Sequence, residues 1–124
     1  MNSKLTLKMI LALAIVTILA GTALAEDDPA AKIKKMDGKE LFKNFCKVCH
    51  MEDSDAGEYT PMSLIMDQWD EFFDEGFVAT HQEVPALDQE DKMVPDMLDK
   101  DMIKKIRKFC VDHAADSEQP MTCG

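Results

Sequence analysis

A short stretch at residues 46–50 combines two cysteines and a histidine in the order CKVCH. Several kinds of chemistry use cysteines at the spacing of Cys46 and Cys49. A zinc site needs two more ligands at suitable spacing, and the remaining cysteines, Cys110 and Cys123, stand 13 positions apart. A thioredoxin-like dithiol needs a strand–helix–strand context, with the pair at a helix N-terminus. Two structural cysteines beside an unrelated histidine are a further interpretation.

Covalent attachment of a haem accounts for all three residues together. Two cysteines at this spacing each form a thioether with a haem vinyl group, and the adjacent His50 then becomes the proximal ligand of the iron. We therefore predict one haem c, bound through Cys46 and Cys49.

The elements that must position CKVCH begin with a helix. Asp37 and Glu40 form a capping pair at its start. Apolar residues then recur at three- and four-residue spacing and define one face of the helix, namely Leu41, Phe42, Phe45 and Cys49.

A second amphipathic helix is predicted from Met62 to about Glu75, and Gly76 is placed to end it. Its predicted buried side consists of Leu64, Ile65, Trp69, Phe72 and Phe73. Among the methionines, Met62, Met66 and Met102 are interpreted as core residues rather than ligands.

Residues 77–98 are predicted to be irregular, with one short helix at most. Asp99 then caps a last helix, whose buried side is predicted to hold Ile103, Ile106, Phe109 and Cys110. No segment alternates as a strand does, so the predicted fold class is all-α with long connections. Connections of that length in a compact domain usually have a function, such as holding a bound group.

The first 25 residues have the pattern of a signal peptide, with cleavage after Ala25. Lys4 and Lys8 precede an apolar run of 12 residues, which is short for a membrane span. A retained anchor is the alternative. We expect export to a bacterial periplasm, a mobile segment over residues 26–36, and one domain over residues 37–124.

The charge balance is strongly acidic. Without the predicted signal peptide, 12 basic and 24 acidic residues give a net charge of −12. Nucleic acid and anionic lipid are therefore not expected partners, and no stable membrane association is expected. Residues 51–99 hold 15 acidic residues and one base, Lys92, whereas lysines gather before and within CKVCH.

With these residues in place, the sequence resembles the small bacterial class I monohaem c-type cytochromes. The family's opening helix is similar to GKELFKNFCKVCH, in which Gly38 and Phe42 match a glycine and an aromatic position. The family's closing helix is similar to IKKIRKFC, in which Phe109 matches the aromatic position. The resemblance implies a cytochrome c-like fold. Its first and last helices cross, and helices and long loops surround one haem.

The resemblance also implies a set of site residues. The region of Pro61 would supply a backbone carbonyl to the second ring nitrogen of His50, which needs such a partner. Separately, the indole N–H of Trp69 is a candidate donor to a haem propionate, and an ordinary core position is the alternative.

For the sixth iron ligand, the family supplies a methionine from the loop before the last helix. Met93 resembles it, although Val94 separates Met93 from Pro95. Met97 and His81 remain open as alternatives.

The function implied is a soluble periplasmic electron carrier with His50 and Met93 as axial ligands and no enzymatic activity. We expect a monomer that docks redox partners transiently near Lys43 and Lys47. The alternative is a haem-based sensor or peroxidase-like protein with an open or displaceable sixth site. Finally, Cys110 and Cys123 are an even pair in an oxidising compartment and are predicted to form a disulfide.

Overall fold

The computed structural model describes residues 28–121, so the predicted signal peptide and Cys123 lie outside the described residues. The described chain is mostly helical. In order, it contains α1 (Pro29–Lys35), α2 (Gly38–Leu41), a π-helical turn (Phe42–Cys46), a 3₁₀ turn (Pro61–Ser63), α3 (Met66–Glu71), a second π-helical turn (Phe72–Gly76), α4 (Phe77–His81), β1 (Pro85–Ala86), β2 (Gln89–Met93), a 3₁₀ turn (Val94–Met97) and α5 (Lys100–Asp112). None of these helices has the length and apolar character that crossing a membrane requires.

Helix α1 lies in the segment that the sequence predicted to be mobile. The Asp28 carboxylate accepts a hydrogen bond from the backbone N–H of Ala30, and Pro29 occupies the first turn, where a missing N–H costs nothing. The ammonium of Lys105 donates to the carbonyls of Lys34 and Met36 at 2.9 and 3.0 Å. This contact attaches the segment to α5.

Helices α2 and α5 pack closely, as the resemblance implies for the helix before CKVCH and the closing helix. Asp37 and Glu40 form the predicted capping box, with the Asp37 carboxylate 2.8 Å from the N–H of Glu40. A Cβ on Gly38 would overlap the carbonyl of Lys105 and lie 2.8 Å from Phe109 Cβ, so only glycine permits this approach. The rings of Phe42 and Phe109 meet beside it, with centroids 5.6 Å apart.

The second helix differs from its prediction at both ends. It begins at Met66 rather than Met62, and Ile65 is exposed rather than buried. It also does not end at Gly76, because Gly76 keeps helical dihedrals (φ −88°, ψ −39°) and the helix continues to His81. A glycine inside a helix costs only about 1 kcal/mol relative to alanine, and burial of Phe77 against Phe72 and Phe73 outweighs that cost.

Residues 85–93 form a β-hairpin where irregular chain was predicted. β1 and β2 are antiparallel, with Pro85 opposite Met93 and Ala86 opposite Gln89, and an irregularity lies between the two pairs. Most of β2 is exposed, so its sequence carries no alternation of apolar and polar residues that would reveal a strand. The hairpin leads into α5, which Asp99 caps as predicted.

The core lies between α2, α3, α4 and α5. Its buried residues are Leu41, Phe42, Trp69, Phe77, Leu98, Met102, Ile106, Phe109, Cys110 and Ala114. Met102 is in this core as predicted, whereas the same prediction is wrong for Met62 and Met66, which are exposed. Arg107 joins α5 to the second helix by ion pairs with Asp70 and Asp74.

Candidate functional site

A cavity of about 450 Å³ lies beside the core, and CKVCH forms part of its wall. Its lining is mainly aromatic and aliphatic, and the polar groups include the side chains of Cys46, Cys49, His50 and His81. This volume is within the range of about 300–1,000 Å³ that small-molecule and cofactor sites occupy. An apolar cavity with a few polar groups suits a large flat hydrophobic cofactor.

The two cysteines reach the cavity because the π-helical turn ends at Cys46. The carbonyl of Cys46 then accepts hydrogen bonds from the N–H groups of Cys49 and His50, at 3.2 and 2.9 Å. This compact turn places all three side chains on one wall of the cavity. Two cysteines and a histidine in this order are the residues that can bind a haem through two thioethers and one imidazole.

Burial, together with the neighbouring Cys49, raises the pKa of the Cys46 thiol to about 12. A thioredoxin-like dithiol instead needs a thiol whose pKa is lowered toward neutrality. At neutral pH Cys46 is therefore protonated, which disfavours the redox interpretation. For zinc, no group of three or more histidine, cysteine, aspartate or glutamate side chains suited to a metal ion comes together within residues 28–121.

A backbone carbonyl orients His50, and it belongs to Gly57, in the loop between CKVCH and Pro61. Nδ1 of His50 lies 3.0 Å from the Gly57 oxygen. Because a carbonyl only accepts, Nδ1 carries the proton, and Nε2 is the nitrogen that remains for a metal ion. Gly57 has φ +78°, a conformation that favours glycine.

Pro61 and Trp69 are hydrogen-bonded to each other, whereas the sequence predicted a separate role at the haem for each of them. The Trp69 indole N–H donates to the Pro61 carbonyl at 2.8 Å, and both residues are buried. The Trp69 ring lines the cavity, while its N–H is hydrogen-bonded to the loop that precedes the helix. The structure thus supports the alternative of an ordinary core tryptophan.

The candidates for the sixth iron ligand differ in whether they line the cavity. His81 lines the cavity, and its ring centroid is 6.0 Å from that of His50. Met93 and Met97 are half-buried and do not contribute to the lining. The prediction of Met93 as a ligand has no direct test in this geometry, but the structure does not bring its side chain to the cavity.

Sequence reasoning missed Phe77 as a cavity residue, because the helix was expected to stop before it. Phe73, Phe77 and His81 follow one another at four-residue spacing, and all three line the cavity. That periodicity was the available signal, and it runs through Gly76.

A helical fold that puts two cysteines and a histidine on the wall of an apolar cavity has the features of a protein that attaches haem covalently. The chain belongs to the cytochrome c family, since the family model described as Cytochrome c matches residues 36–121. Comparison with curated proteins gave no match, and comparison with solved structures gave none. Membership of this family implies haem binding and electron transfer, with Cys46 and Cys49 at the spacing for covalent haem c.

Proposed function

We propose that this protein is a periplasmic electron carrier that holds one haem c and has no substrate chemistry of its own. The observation that carries the proposal is the common wall formed by Cys46, Cys49 and His50, with the His50 ring already oriented by Gly57. When bound, the haem supplies the one-electron step.

The chain's own residues prepare the site for such a group. Cys46 and Cys49 would hold it covalently, and His50 would present Nε2 because Nδ1 is held by the Gly57 carbonyl. Phe72, Phe73 and Phe77 pack against one another beside the cavity and limit access of water. A low-polarity surrounding of this kind is one determinant of the reduction potential.

For the sixth position, the family resemblance predicts Met93, and this stays a prediction. The residues that line the cavity include another donor, His81.

Partner docking is proposed at the surface around the attachment site. Lys43 is exposed there, and Lys47 forms a 3.4 Å ion pair with Glu58. An exposed ion pair of this kind is weak, so Lys47 remains able to meet an acidic partner. Transient docking that depends on such charges weakens as ionic strength rises.

The proposal is tested by producing the full chain in a bacterium that has the cytochrome c maturation machinery. We expect the mass of one haem added to a chain that begins at Glu26, recovery from the periplasmic fraction, and a reversible one-electron redox titration. A bare polypeptide mass contradicts haem attachment. Rapid carbon monoxide binding at neutral pH, with high-spin iron, would support the sensor or peroxidase-like alternative instead.

A further inference from the structure

We propose that His81 is the second axial ligand, so that two histidines, His50 and His81, hold the iron. The proposal rests on the proposed haem attachment at Cys46 and Cys49, and it replaces Met93 as the sixth ligand.

The first observation is the distance between the two imidazoles. A histidine nitrogen binds a first-row metal ion at about 2.0 Å, and its ring centre lies roughly 1 Å beyond, so two rings on opposite sides of one ion have centroids about 6 Å apart. The centroids of His50 and His81 are 6.0 Å apart. The centroid separation therefore matches that of two imidazoles that share one metal ion.

The second observation is that both rings are held by the same kind of hydrogen bond. Nδ1 of His81 lies 2.8 Å from the carbonyl of Phe77, as Nδ1 of His50 lies 3.0 Å from the carbonyl of Gly57. Nδ1 of His81 also lies 2.9 Å from the Thr80 hydroxyl, whose own proton has the Gly76 carbonyl as acceptor at 2.9 Å. Because carbonyls only accept, both Nδ1 atoms carry protons, and Nε2 of each ring is the nitrogen available to iron.

The third observation is that His81 lies on a fixed support. Its ring packs on Phe77, with centroids 4.9 Å apart, and on Phe72, with centroids 6.3 Å apart. Phe77 is buried in the core. The helix that continues through Gly76 therefore delivers His81 to the cavity from a packed element rather than from a loop.

Met93 occupies a position with other interactions. It is the last residue of β2, it stands opposite Pro85 in the hairpin, and its backbone N–H donates to the Asp96 carboxylate at 3.3 Å. It does not line the cavity. The hairpin and the Asp96 carboxylate thus fix the backbone of Met93.

Two imidazole ligands have a consequence for function. A methionine ligand raises the reduction potential relative to a second histidine. The carrier would therefore work at a lower potential than a His/Met site with the same burial, and its electron donor would have to be a correspondingly stronger reductant.

The test compares the purified holoprotein with His81→Ala and Met93→Ala, with His113→Ala as the matched histidine control. His113 is half-buried, its Nδ1 faces the Gln119 carbonyl, and it does not line the cavity. Mass spectrometry confirms the attached haem in each variant before optical and electron paramagnetic resonance spectra are recorded.

We expect the unaltered protein to be low-spin without the weak red-region band of sulfur–iron charge transfer. His81→Ala should become high-spin and bind carbon monoxide, and added imidazole should restore the low-spin spectrum. Met93→Ala and His113→Ala should keep the original spectrum. A potential measured for the unaltered protein below that of a His/Met site would agree.

A sulfur–iron band that disappears in Met93→Ala, or a His81→Ala spectrum identical to that of the unaltered protein, overturns the proposal while leaving the proposed carrier intact. If His81→Ala does not fold, the spectra of the unaltered protein still decide, because the sulfur–iron band distinguishes the two ligand sets. A protein without attached haem contradicts the proposed function itself, and the mass reveals that outcome separately.

Discussion

The indole N–H of Trp69 donates a hydrogen bond to the carbonyl of Pro61 at 2.8 Å, and both groups are shielded from water. This bond joins the loop that follows CKVCH to the second helix. Because the loop also contains Gly57, whose carbonyl faces His50, the same contact supports the orientation of the His50 ring.

Replacement of Trp69 by phenylalanine removes this donor and leaves the Pro61 carbonyl buried without its partner. The free energy of unfolding should fall by about 1–3 kcal/mol, since a buried unpaired carbonyl carries that cost. Chemical denaturation of the holoprotein measures the change. The control is Met62→Leu, an exposed position on the same loop, where a change below about 0.5 kcal/mol is expected.

Gly38→Ala tests the packing of α2 on α5. Helix propensity alone predicts that alanine stabilises by roughly 1 kcal/mol. The added Cβ, however, would overlap the Lys105 carbonyl and approach Phe109 Cβ to 2.8 Å. We therefore expect destabilisation by about 1–3 kcal/mol, as for overpacking elsewhere.

The sign of the change makes the Gly38 experiment informative. Lys39→Ala, at an exposed position of the same helix, is the control and should be nearly neutral. A Gly38→Ala protein more stable than the original in thermal and chemical denaturation would show that the two helices are not in close contact.

Gly57→Ala tests the hydrogen bond to His50. An added Cβ meets open space, with Tyr59 3.8 Å away, so the cost comes from φ +78° and should be about 1 kcal/mol. If the backbone relaxes, the carbonyl turns away from Nδ1, the imidazole becomes a poorer electron donor, and the reduction potential rises. Potentiometric titration measures that shift.

Asp53→Gly is the matched control for Gly57. Asp53 also has positive φ (61°) in the same loop, and no hydrogen bond joins it to His50. Glycine there relieves strain, so stability should be unchanged or slightly higher and the potential should not move. If the reduction potential shifted equally in both variants, the shift in Gly57→Ala could not be due to the hydrogen bond between Gly57 and His50.

The predicted Cys110–Cys123 disulfide is tested by thiol counting. Cys110 is fully buried on α5, while Cys123 lies outside the described residues. Unfolded, unreduced holoprotein should contain no free thiol, since haem attachment consumes Cys46 and Cys49. Two free thiols in a monomer would contradict the disulfide.

The same sample, once reduced, tests the burial of Cys110. Burial raises the pKa of this thiol, so the folded state keeps its proton at pH values where the unfolded thiol loses it. Alkylation at pH 9 should therefore be much slower in the folded protein than after unfolding. Since the folded state then binds more protons, this group's contribution to stability falls as pH rises above the unfolded value of about 8.5.

Features that depend on neighbours along the chain could be predicted from the sequence. CKVCH is recognisable from its residue types alone, and Asp37 and Asp99 cap their helices because the partner N–H groups are three residues away. The contact of Gly38 with Phe109 is not local, and it was predicted only from the family resemblance. Each of the two capping interactions spans a single turn of chain, so no knowledge of the fold is needed to recognise it.

The sequence by itself therefore determined the attachment motif and the caps, because these depend on residue type and local spacing. Only the tertiary structure decided that the helix passes Gly76, that the carbonyl of Gly57 faces His50, and that His81 rather than Met93 lines the cavity. The physical reason is that weak local preferences yield to burial of large aromatic residues such as Phe77. The partner of a carbonyl or an imidazole is likewise chosen by elements distant in sequence that packing brings together.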